Sequence, residues 1–582
     1  MQKLRQWFSN PYVVLYVVFV YCIVFAFIID TPYEIFRGLI AIAVSYDILI
    51  TDYVYIGGVG ATLVNAAIVN LLLLVYLTIK HPKATGPIIM SVWLLAGFTF
   101  FGKNFVNVWP IYFGGFLYAK FRKEPFERYT VVTVLATALA PTVTQMAMLD
   151  HIPVIPRFLL AGAFGTLVGF VMPPISQNIM NVHQGFNLYN VGFTAGILAI
   201  LTRIFVNVIG GGNTYPVFFW STEHKLSLSI FMGILFAFVV FVGWLCDQNN
   251  KENFKKLLKC SGQAPCDYYT DYAESTYINM GLLGLSTTAV MLLIRSDING
   301  PVMGSIFTIV AFGAIGKHMK NIWPVMIGCL LSGGFIHIWT GDIPSSAVAV
   351  LLVTCLAPVA GKYGWVWGII AGVIHLHIAM HVVTFSGGFN LYNNGLAGGF
   401  VAMFLLPLIR AVEERKQAIH KLTKRFVLFI LAGLLVVGCV NIVLTIRPQA
   451  SVIDTSLFQP SPPLLVNSNI AEGVPIELIN LDKENGIVHW RITNNTVRAL
   501  YFGTYFELDF FHNGSWYVVP LNENVAFILP LFMLETGRSY DFHTAIIFHY
   551  YPFPTAELYR IRKQIYYFIH SQHDLVVEFQ WW

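Results

Sequence analysis

The hexapeptide Gly185-Phe186-Asn187-Leu188-Tyr189-Asn190 occurs twice in this chain, returning as Gly388-Phe389-Asn390-Leu391-Tyr392-Asn393. A chance identity of six residues in a chain of 582 residues has odds on the order of one in a few hundred. Glycines continue the match at positions 192 and 395, and again at 196 and 399. The hexapeptide therefore indicates an internal duplication.

Three further matches occur in the same order along the chain. They are Gly86-Pro87 with Gly300-Pro301, the block from Gly102 to Pro110 with the block from Gly316 to Pro324, and Leu139-Ala140-Pro141 with Leu356-Ala357-Pro358. We name the middle pair the lysine motifs, because each reads Gly-Lys-x-x-x-Asn-x-Trp-Pro. Together the matches predict two duplicated units of roughly 150 residues each, at about 57–208 and 273–410.

The composition indicates that most of the chain lies in a lipid bilayer. Hydrophobic residues make up 56% of the chain and charged residues only 11%, whereas soluble proteins have about 25% charged residues. The apolar residues fall in long runs, which excludes a cytosolic enzyme and a nucleic-acid-binding module. About fifteen runs are candidates for crossings, and several are short enough to be half-helices or re-entrant segments. We therefore expect an all-α polytopic membrane protein.

Clusters of lysine and arginine set the expected orientation. With the N-terminus in the cytoplasm, the clusters fall on the cytoplasmic side, as the positive-inside rule requires. The clusters begin at Lys3, Lys80, Lys120, Lys251, Lys317 and Arg410. The first span of one unit, 57–79, and its counterpart, 273–293, are then an odd number of positions apart in the order of crossings, so they run in opposite directions. The units are therefore predicted to be inverted repeats, which is typical of transporters with a site near the bilayer midplane.

The hexapeptides are candidate substrate-binding segments. Glycine permits a break in the backbone, and an asparagine can cap the helix that follows. A helix N-terminus beside a tyrosine can meet a polar or anionic solute. The candidate residues are Asn187, Tyr189, Asn190, Asn390, Tyr392 and Asn393. The alternative is a structural helix break whose asparagines are satisfied within the protein.

Lys103 and Lys317 are candidate electrostatic contributors to the same site. A lysine at the bilayer centre costs about 2.5–3.5 kcal/mol on insertion scales, so it needs a compensating role there. If the flanking runs are half-helices, the two lysines approach the midplane and suit an anionic group. The alternative is that each lysine marks a hairpin turn at the membrane interface, with Trp109 and Trp323 as interfacial anchors.

Histidines form a weaker candidate. His377 and His381 share one helical face at a spacing of four residues. The run lacks a carboxylate partner and an H-E-x-x-H pattern, so we expect neither a metal nor another cofactor. A proton or substrate contact and simple cavity lining both stay open for these histidines.

The acidic residues are predicted to lie outside the spans. Within residues 57–205 and within residues 275–446, every Asp and Glu falls in a predicted loop. This disfavours a proton relay built on a carboxylate within the membrane. The segment 35–56, which contains Asp47 and Asp52, is mixed in character. We expect that segment at the membrane interface.

The tail after about residue 450 is a different kind of sequence. Short β-rich runs separated by turn signals such as Asn513-Gly514 predict a small β-sandwich. The segments Gly503–Leu508, Asn513–Pro520 and Tyr559–Ile561 resemble a bacterial immunoglobulin-like domain. That resemblance implies a fold and carries no activity.

The duplicated hexapeptides and lysine motifs resemble a family of bacterial multi-spanning proteins known as domain of unknown function 1576. The resemblance covers about 15–425, implies an integral membrane protein, and brings no substrate or catalytic residue. The resulting domain plan is an N-terminal span with an interfacial segment (1–56), membrane repeat 1 (57–208), a connecting span and cytoplasmic loop (209–272), membrane repeat 2 (273–410), a last span (411–446) and an extracellular immunoglobulin-like domain (450–582).

The function that these patterns favour is transport of a small polar or anionic solute, by a carrier or a channel, at the interface of the inverted repeats. Two alternatives stay open: a surface sensor or assembly factor that uses the extracellular domain, and a membrane-embedded enzyme acting on a lipid or envelope precursor. The expected partners are the lipid bilayer and a small solute, without nucleic acid. A cell-envelope partner for the tail and a homo-oligomer are left open.

Overall fold

The computed structural model describes residues 2–47, 49, 51–149, 152–208, 220–247, 250–335, 344–416, 459–461, 473–482, 487–496, 500–502, 506–512, 514–519, 532–545, 558–568 and 571–580. This described part of the chain divides into two compact units. One is a helical unit that lies before residue 446, and the other is a C-terminal unit of β-strands that lies after residue 445.

The helical unit consists of α-helices joined by short turns. In chain order they are α1 (Gln2–Phe8), α2 (Pro11–Ile29), α3 (Pro32–Ala43), α4 (Tyr53–Lys80), α5 (Gly86–Phe98), α6 (Trp109–Arg122), α7 (Thr130–Ala136), α8 (Ala140–Ala147), α9 (Val154–His183), α10 (Asn190–Val208), α11 (Lys225–Cys246), α12 (Asn250–Leu257), α13 (Tyr268–Tyr272), α14 (Ser275–Leu293), α15 (Gly300–Phe312), α16 (Met319–Phe335), α17 (Pro344–Leu352), α18 (Ala357–Tyr363), α19 (Trp365–Ser386) and α20 (Asn393–Lys416). Short 3-10 turns at Phe126–Tyr129, Thr137–Leu139 and Val353–Leu356 adjoin α7, α8, α17 and α18.

Among the described residues, nine helical segments are long and apolar enough to cross a membrane. They are Pro11–Ile29, Tyr53–Lys80, Phe126–Ala147, Val154–His183, Asn190–Val208, Lys225–Cys246, Ser275–Leu293, Trp365–Val382 and Asn393–Glu414. The chain is therefore an α-helical membrane protein, as its composition predicts. The last apolar run expected from the sequence, 424–446, lies outside the described residues.

Three shorter apolar helices, Gly86–Phe98, Gly300–Phe312 and Ala347–Tyr363, fall below that length. The first and second, α5 and α15, have 13 residues each, which gives a length of about 20 Å against a hydrocarbon thickness of about 30 Å. They pack against each other, and every residue of α15 is buried. Two half-length helices thus form the centre of the helical unit.

The same order of helices occurs twice. The segment from α4 to α10 corresponds, helix by helix, to the segment from α14 to α20. Packing follows the same plan in both segments, because α6 packs on α9 as α16 packs on α19. Outside the segments that the sequence marks as duplicated, α2 packs on α4 as α11 packs on α14.

The repeated prolines mark the starts of helices. Pro87, Pro110, Pro141, Pro301 and Pro358 all lie in the first turn of a helix. The first turn tolerates proline because its N–H groups have no partner within the helix. The equivalent of Pro110, Pro324, lies inside α16, which begins earlier.

The C-terminal unit contains two antiparallel sheets. Its strands are β1 (Gln459–Pro460), β2 (Ile476–Asp482), β3 (Ile487–Thr493), β4 (Leu500–Phe502), β5 (Glu507–His512), β6 (Ser515–Val518), β7 (Phe532–Leu534), β8 (Ser539–Ala545), β9 (Leu558–Phe568) and β10 (Ser571–Phe579). One sheet has the order β2-β3-β8; in the other, β9 pairs with β4, β5 and β10. Trp490, Phe502 and Ile561 belong to the shared apolar core. This unit consists of short β-strands, as the tail sequence predicts.

Candidate functional site

Both hexapeptides form breaks between two helices. The first break follows the end of α9, where Gln184 and Gly185 have φ angles of 49° and 78°, and α10 begins at Asn190. The second separates α19 from α20, and there Gly387 and Gly388 have φ angles of 63° and 76°. A Cβ on Gly185 would lie 2.0 Å from the carbonyl oxygen of Ala264, so this position requires glycine for space as well as for conformation.

Asn187 and Asn390 each join their own break to the other duplicated unit. The Asn187 Nδ2 donates to the carbonyl of Gly395 at 2.9 Å, and the Asn390 Nδ2 donates to the carbonyl of Gly192 at 3.4 Å. Their Oδ1 atoms accept from the backbone N–H of Tyr189 and of Tyr392, at 3.0 and 2.9 Å. These two carboxamides are therefore used to hold the breaks in place, as in the structural alternative.

Asn190 and Asn393 contact the ends of the preceding helices. Asn190 lies 2.9 Å from the Nε2 of His183 and also donates to the carbonyl of Ser176 at 2.9 Å. The Asn393 Nδ2 donates to the hydroxyl of Ser386 at 2.8 Å. Both side chains therefore connect the two helices on either side of a break.

Tyr189 and Tyr392 bring the two breaks together. Their rings stack with 4.3 Å between centroids and an angle of 25° between planes, and both residues are buried. Tyr189 also contacts Phe312, the last residue of α15, and Tyr392 contacts Phe98, the last residue of α5. The tyrosine pair therefore lies against both half-length helices.

The lysines of both motifs are buried beside this pair. Lys317 is 0% exposed, and its Nζ donates to the hydroxyls of Tyr189 at 2.5 Å and Thr354 at 2.8 Å. Lys103 is 1% exposed, and its Nζ lies 4.6 Å from the centroid of the Phe98 ring. Within the described residues, neither lysine forms an ion pair.

Two asparagines within helices support the lysine motifs. The Asn65 Nδ2 donates to the carbonyls of Thr99 and Lys103, at 2.9 and 3.0 Å. In the other unit, the Asn279 Nδ2 donates to the carbonyls of Gly313 and Lys317, at 2.9 and 2.8 Å. These asparagines fix the backbone that carries each lysine. The sequence signal that could have identified them is an asparagine at the same offset before both lysines, within an apolar run.

Two aspartates cap the half-length helices across the units. The N–H of Gly300, the first residue of α15, donates to Oδ1 of Asp52 at 2.9 Å. The N–H of Gly86, the first residue of α5, donates to Oδ1 of Asp267, also at 2.9 Å. A carboxylate at a helix N-terminus is favoured by the free N–H groups and by the helix dipole. The segment just before each unit thus provides the cap for the half-length helix of the other unit.

Asp47 is a buried carboxylate that the sequence patterns did not connect with the lysine motif. It is 0% exposed. Its side chain accepts from Tyr53 at 2.7 Å, Thr144 at 2.8 Å, Asn107 at 2.9 Å, Ser45 at 3.0 Å and Asn104 at 3.1 Å. Asn107 is the asparagine of the first lysine motif, so this carboxylate belongs to the interior of the helical unit.

The asparagine of the second lysine motif has a glycine as its neighbour instead of an aspartate. A Cβ on Gly262 would lie 2.8 Å from the Nδ2 of Asn321, whereas the Nδ2 of Asn107 donates to Asp47. A Cβ on Gly262 would lie 2.0 Å from the carbonyl of Gly316. The Asp47 cluster is therefore a difference between the two units.

Among the described residues, the histidines of α19 form no ring contact or hydrogen bond with the tyrosine pair. His377 and His381 are exposed, and the Nδ1 of His377 contacts the carbonyl of Val373 in its own helix at 2.9 Å. His375 is buried, with its Nε2 3.4 Å from the carbonyl of Asn394. The described residues contain no cluster of three His, Cys, Asp or Glu side chains placed to bind a metal. A substrate contact by His377 and His381 stays a prediction.

This architecture defines a polytopic α-helical membrane protein with duplicated helix breaks and an immunoglobulin-like tail. A family model described as "Protein of unknown function (DUF1576)" matches residues 31–208 and 246–411, so the chain belongs to this family. A second model, described as "Bacterial Ig-like domain", matches residues 473–580. Both matches confirm the resemblances found in the sequence. Neither the curated proteins nor the solved structures compared with the chain give a match.

Proposed function

We propose that this protein moves a small polar or anionic solute across the membrane, with a site where the two helix breaks meet. The observation that supports this most is Lys317. Its ammonium is fully buried, and its two hydrogen-bond partners, Tyr189 and Thr354, are neutral hydroxyls. A buried charge without a counter-ion is costly. A solute anion would compensate the charge of Lys317 during transport, which would explain why a lysine is buried at this position.

The reciprocal contacts support an inverted arrangement of the two units. Two copies related by a two-fold axis exchange the same contacts in both directions. The caps by Asp52 and Asp267 do so, and so do the carboxamides of Asn187 and Asn390. With an odd number of crossings between the units, this axis lies in the membrane plane, as in many secondary transporters.

The half-length helices fit two re-entrant hairpins in this arrangement. Basic residues lie at the start of the α5–α6 hairpin, at Lys80, and at its end, at Lys120, so both of its ends belong on the cytoplasmic side. The α15–α16 hairpin enters from the other side. Each hairpin carries its lysine at the tip and approaches the tyrosine pair. Movement of one hairpin at a time would give access to the pair from one side at a time.

The expected orientation has the N-terminus in the cytoplasm and the immunoglobulin-like domain outside the cell. The positive-inside rule supports the first part through the clusters other than the one that begins at Lys317, which is buried in the structure. The second follows from the number of crossings: the nine candidate spans among the described residues, the counterpart of Phe126–Ala147 at Ala347–Tyr363, and the apolar run 424–446 make eleven, an odd number. An extracellular place is in keeping with the immunoglobulin-like match.

Uptake by liposomes containing the purified protein tests the proposal. A panel of small carboxylates, halides and neutral polar solutes is offered to wild type and to Lys317→Met. Lys320→Met is the matched control, because Lys320 lies three residues away and is exposed. We expect uptake of at least one solute above protein-free liposomes, a loss of about tenfold or more in Lys317→Met, and normal uptake in the control. Absence of uptake for the whole panel, or full uptake in Lys317→Met, would overturn the proposal.

A further inference from the structure

The two lysine sites are equivalent in backbone and different in hydrogen bonding. The N–H of Leu188 donates to the carbonyl of Cys355 at 2.9 Å, which places Tyr189 beside Thr354. The N–H of Leu391 donates to the carbonyl of Ala138 at 3.1 Å, which places Tyr392 beside Thr137 in the same way. Lys317 contacts Tyr189 and Thr354, and the backbone hydrogen bonds bring the equivalent residues Tyr392 and Thr137 together on the side of Lys103.

The site of Lys317 is closed, because the neighbouring tyrosine and threonine hydroxyls already accept hydrogen bonds from the lysine. The Nζ of Lys317 donates to both Tyr189 and Thr354, and the Thr354 hydroxyl donates onward to the carbonyl of Leu351 at 2.7 Å. The ammonium also lies 5.1 Å from the ring centroid of Phe312. This arrangement uses the tyrosine hydroxyl as an acceptor.

The site of Lys103 is open by comparison. The hydroxyl of Tyr392 is buried and faces the hydroxyl of Tyr189, and it forms no hydrogen bond of normal geometry among the described residues. Within the same residues the Nζ of Lys103 makes no hydrogen bond, although it faces the Phe98 ring. Leaving a buried polar group unpaired costs about 1–3 kcal/mol, and more when the group is charged. Both residues adjoin Phe98: the Tyr392 ring centroid lies 5.0 Å from the Phe98 centroid, and the Lys103 ammonium lies 4.6 Å from it.

We propose that Lys103 and Tyr392 form a binding site for a monovalent anion, and this rests on the proposed function. The Lys103 ammonium and the Tyr392 hydroxyl donate to the anion. Thr137 is a positioning residue: its hydroxyl donates to the carbonyl of Val134 at 2.6 Å and can accept from the lysine, as Thr354 does. The site of Lys317 is the same site in a closed form.

Charge and size define the class of ligand. One ammonium compensates one negative charge, so a dianion would leave a second charge uncompensated in a medium of low dielectric constant. The surroundings are apolar, because Phe98 and the tyrosine pair form the walls beside the two donors. A small carboxylate or an inorganic monoanion fits these limits, whereas sulfate does not.

Thermal unfolding of the purified full-length protein in detergent tests this site. Sodium acetate, nitrate and chloride are compared with sodium sulfate at equal ionic strength, in a gluconate background. We expect at least one monoanion to raise the midpoint in a saturable way, and sulfate to have no saturable effect. In Tyr392→Phe, which removes a single hydroxyl, the half-saturating concentration should rise about tenfold or more, because hydrogen bonds to charged groups are strong.

Matched variants make the outcome decisive. Lys103→Met should abolish the shift in midpoint, whereas Lys320→Met, at an exposed lysine, should retain it. A shift that persists in both Lys103→Met and Tyr392→Phe, an equal loss in Lys320→Met, an equal response to sulfate, or no response to any monoanion would overturn the proposal. If the protein takes up an anion but shows no shift in midpoint that depends on Lys103, the site at Lys103 is contradicted and the proposal of transport is not. If the shift depends on Lys103 but no uptake is observed, the proposal of transport is contradicted and the site at Lys103 is not.

Discussion

Tyr189 and Tyr392 stack on each other with 4.3 Å between their ring centroids, although they are about two hundred residues apart in the chain. The Tyr189 hydroxyl accepts from Lys317, whereas the Tyr392 hydroxyl faces Tyr189 and forms no hydrogen bond of normal geometry among the described residues. Two identical side chains in equivalent positions are therefore in different states. This difference between the two hydroxyls is the basis for the anion site proposed at Lys103 and Tyr392.

Removing each hydroxyl should reveal that difference in stability. Tyr189→Phe removes a hydrogen bond to a charged group and leaves the Lys317 ammonium with one acceptor fewer, which should cost about 1.5–3 kcal/mol. Tyr392→Phe removes an unpaired buried hydroxyl and should be neutral or slightly stabilising. Thermal unfolding of both variants in a gluconate buffer without small monoanions measures the effect. Equal destabilisation by the two substitutions would contradict this difference in hydrogen bonding.

The hydrogen bond from the N–H of Gly86 to Asp267 predicts that Gly86→Ala destabilises the protein. A Cβ at this position would lie 2.4 Å from Oδ1 of Asp267 and 2.7 Å from the carbonyl of Ala314, so Gly86→Ala must displace the cap and lower the unfolding temperature. The loss of a cap alone costs about 0.5–2 kcal/mol. Gly233→Ala is the matched control, because a Cβ added at this position in α11 would have no atom within 4 Å. In the control, the better helix propensity of alanine should leave stability unchanged or raise it. A larger loss in the control than in Gly86→Ala would contradict the packing.

The Asp47 cluster predicts that its carboxylate is essential for the fold of the first lysine motif. An amide at this position has one oxygen instead of two and presents its own N–H groups to side chains that donate. Asp47→Asn should therefore destabilise the protein by about 2 kcal/mol or more. Asp271→Asn, at an exposed aspartate, should change stability by less than about 0.5 kcal/mol. Similar unfolding temperatures for the two variants would show that Asp47 is not the common acceptor of this cluster.

The immunoglobulin-like domain contains a buried lysine whose titration should appear in its stability. Burial lowers the pKa of the Lys563 ammonium to about 7 from its ordinary value of 10.5. Between pH 7 and 10.5 the unfolded chain binds the proton and the folded domain does not, so the free energy of unfolding rises with pH in this window. The slope reaches at most about 1.4 kcal/mol per pH unit.

Urea unfolding of a 450–582 fragment, which has a hydrophobic core of its own, measures this dependence. The midpoint should rise from pH 7 to about pH 10, and Lys563→Met should remove most of that rise and be more stable than wild type at about pH 6. A midpoint that falls over this range in wild type, or a profile unchanged by the substitution, would contradict the burial of a charged lysine.

Deleting residues 450–582 separates transport from a role as a sensor or assembly factor. The helical unit has its own core and carries both lysine sites, so uptake per molecule should be retained within about twofold. Uptake by the truncated protein in liposomes, compared at equal protein density, measures this. Complete loss of uptake in a truncated protein that still unfolds cooperatively would favour an essential role for the domain.

Much of the fold follows from local sequence patterns. The repeated prolines identify helix starts, and the repeated glycines identify the breaks at Gly185 and Gly388, because these signals act on the neighbouring backbone alone. The stacking of Tyr189 on Tyr392 needed a second unit folded against the first, which no local pattern specifies. The motif match identified both tyrosines as candidates but did not show that they touch.

The burial of Asp47 and the exposure of His377 and His381 could not be predicted from the sequence, because both depend on how distant parts of the chain pack together. The mixed polarity of 35–56 favours an interfacial position, yet Asp47 is buried because five side-chain donors surround its carboxylate, and two of them come from the first lysine motif. Helical spacing placed His377 and His381 on one face, but spacing does not determine whether that face is buried. In the structure it is exposed.

Anion transport by the two buried lysines is tested best by uptake of small monoanions into liposomes that contain the double variant Lys103→Met, Lys317→Met. We predict uptake of at least one monoanion by wild type and by Lys320→Met, and uptake at the level of protein-free liposomes in the double variant. Equal uptake by the double variant and wild type would contradict the claim that these two buried lysines serve transport of an anion.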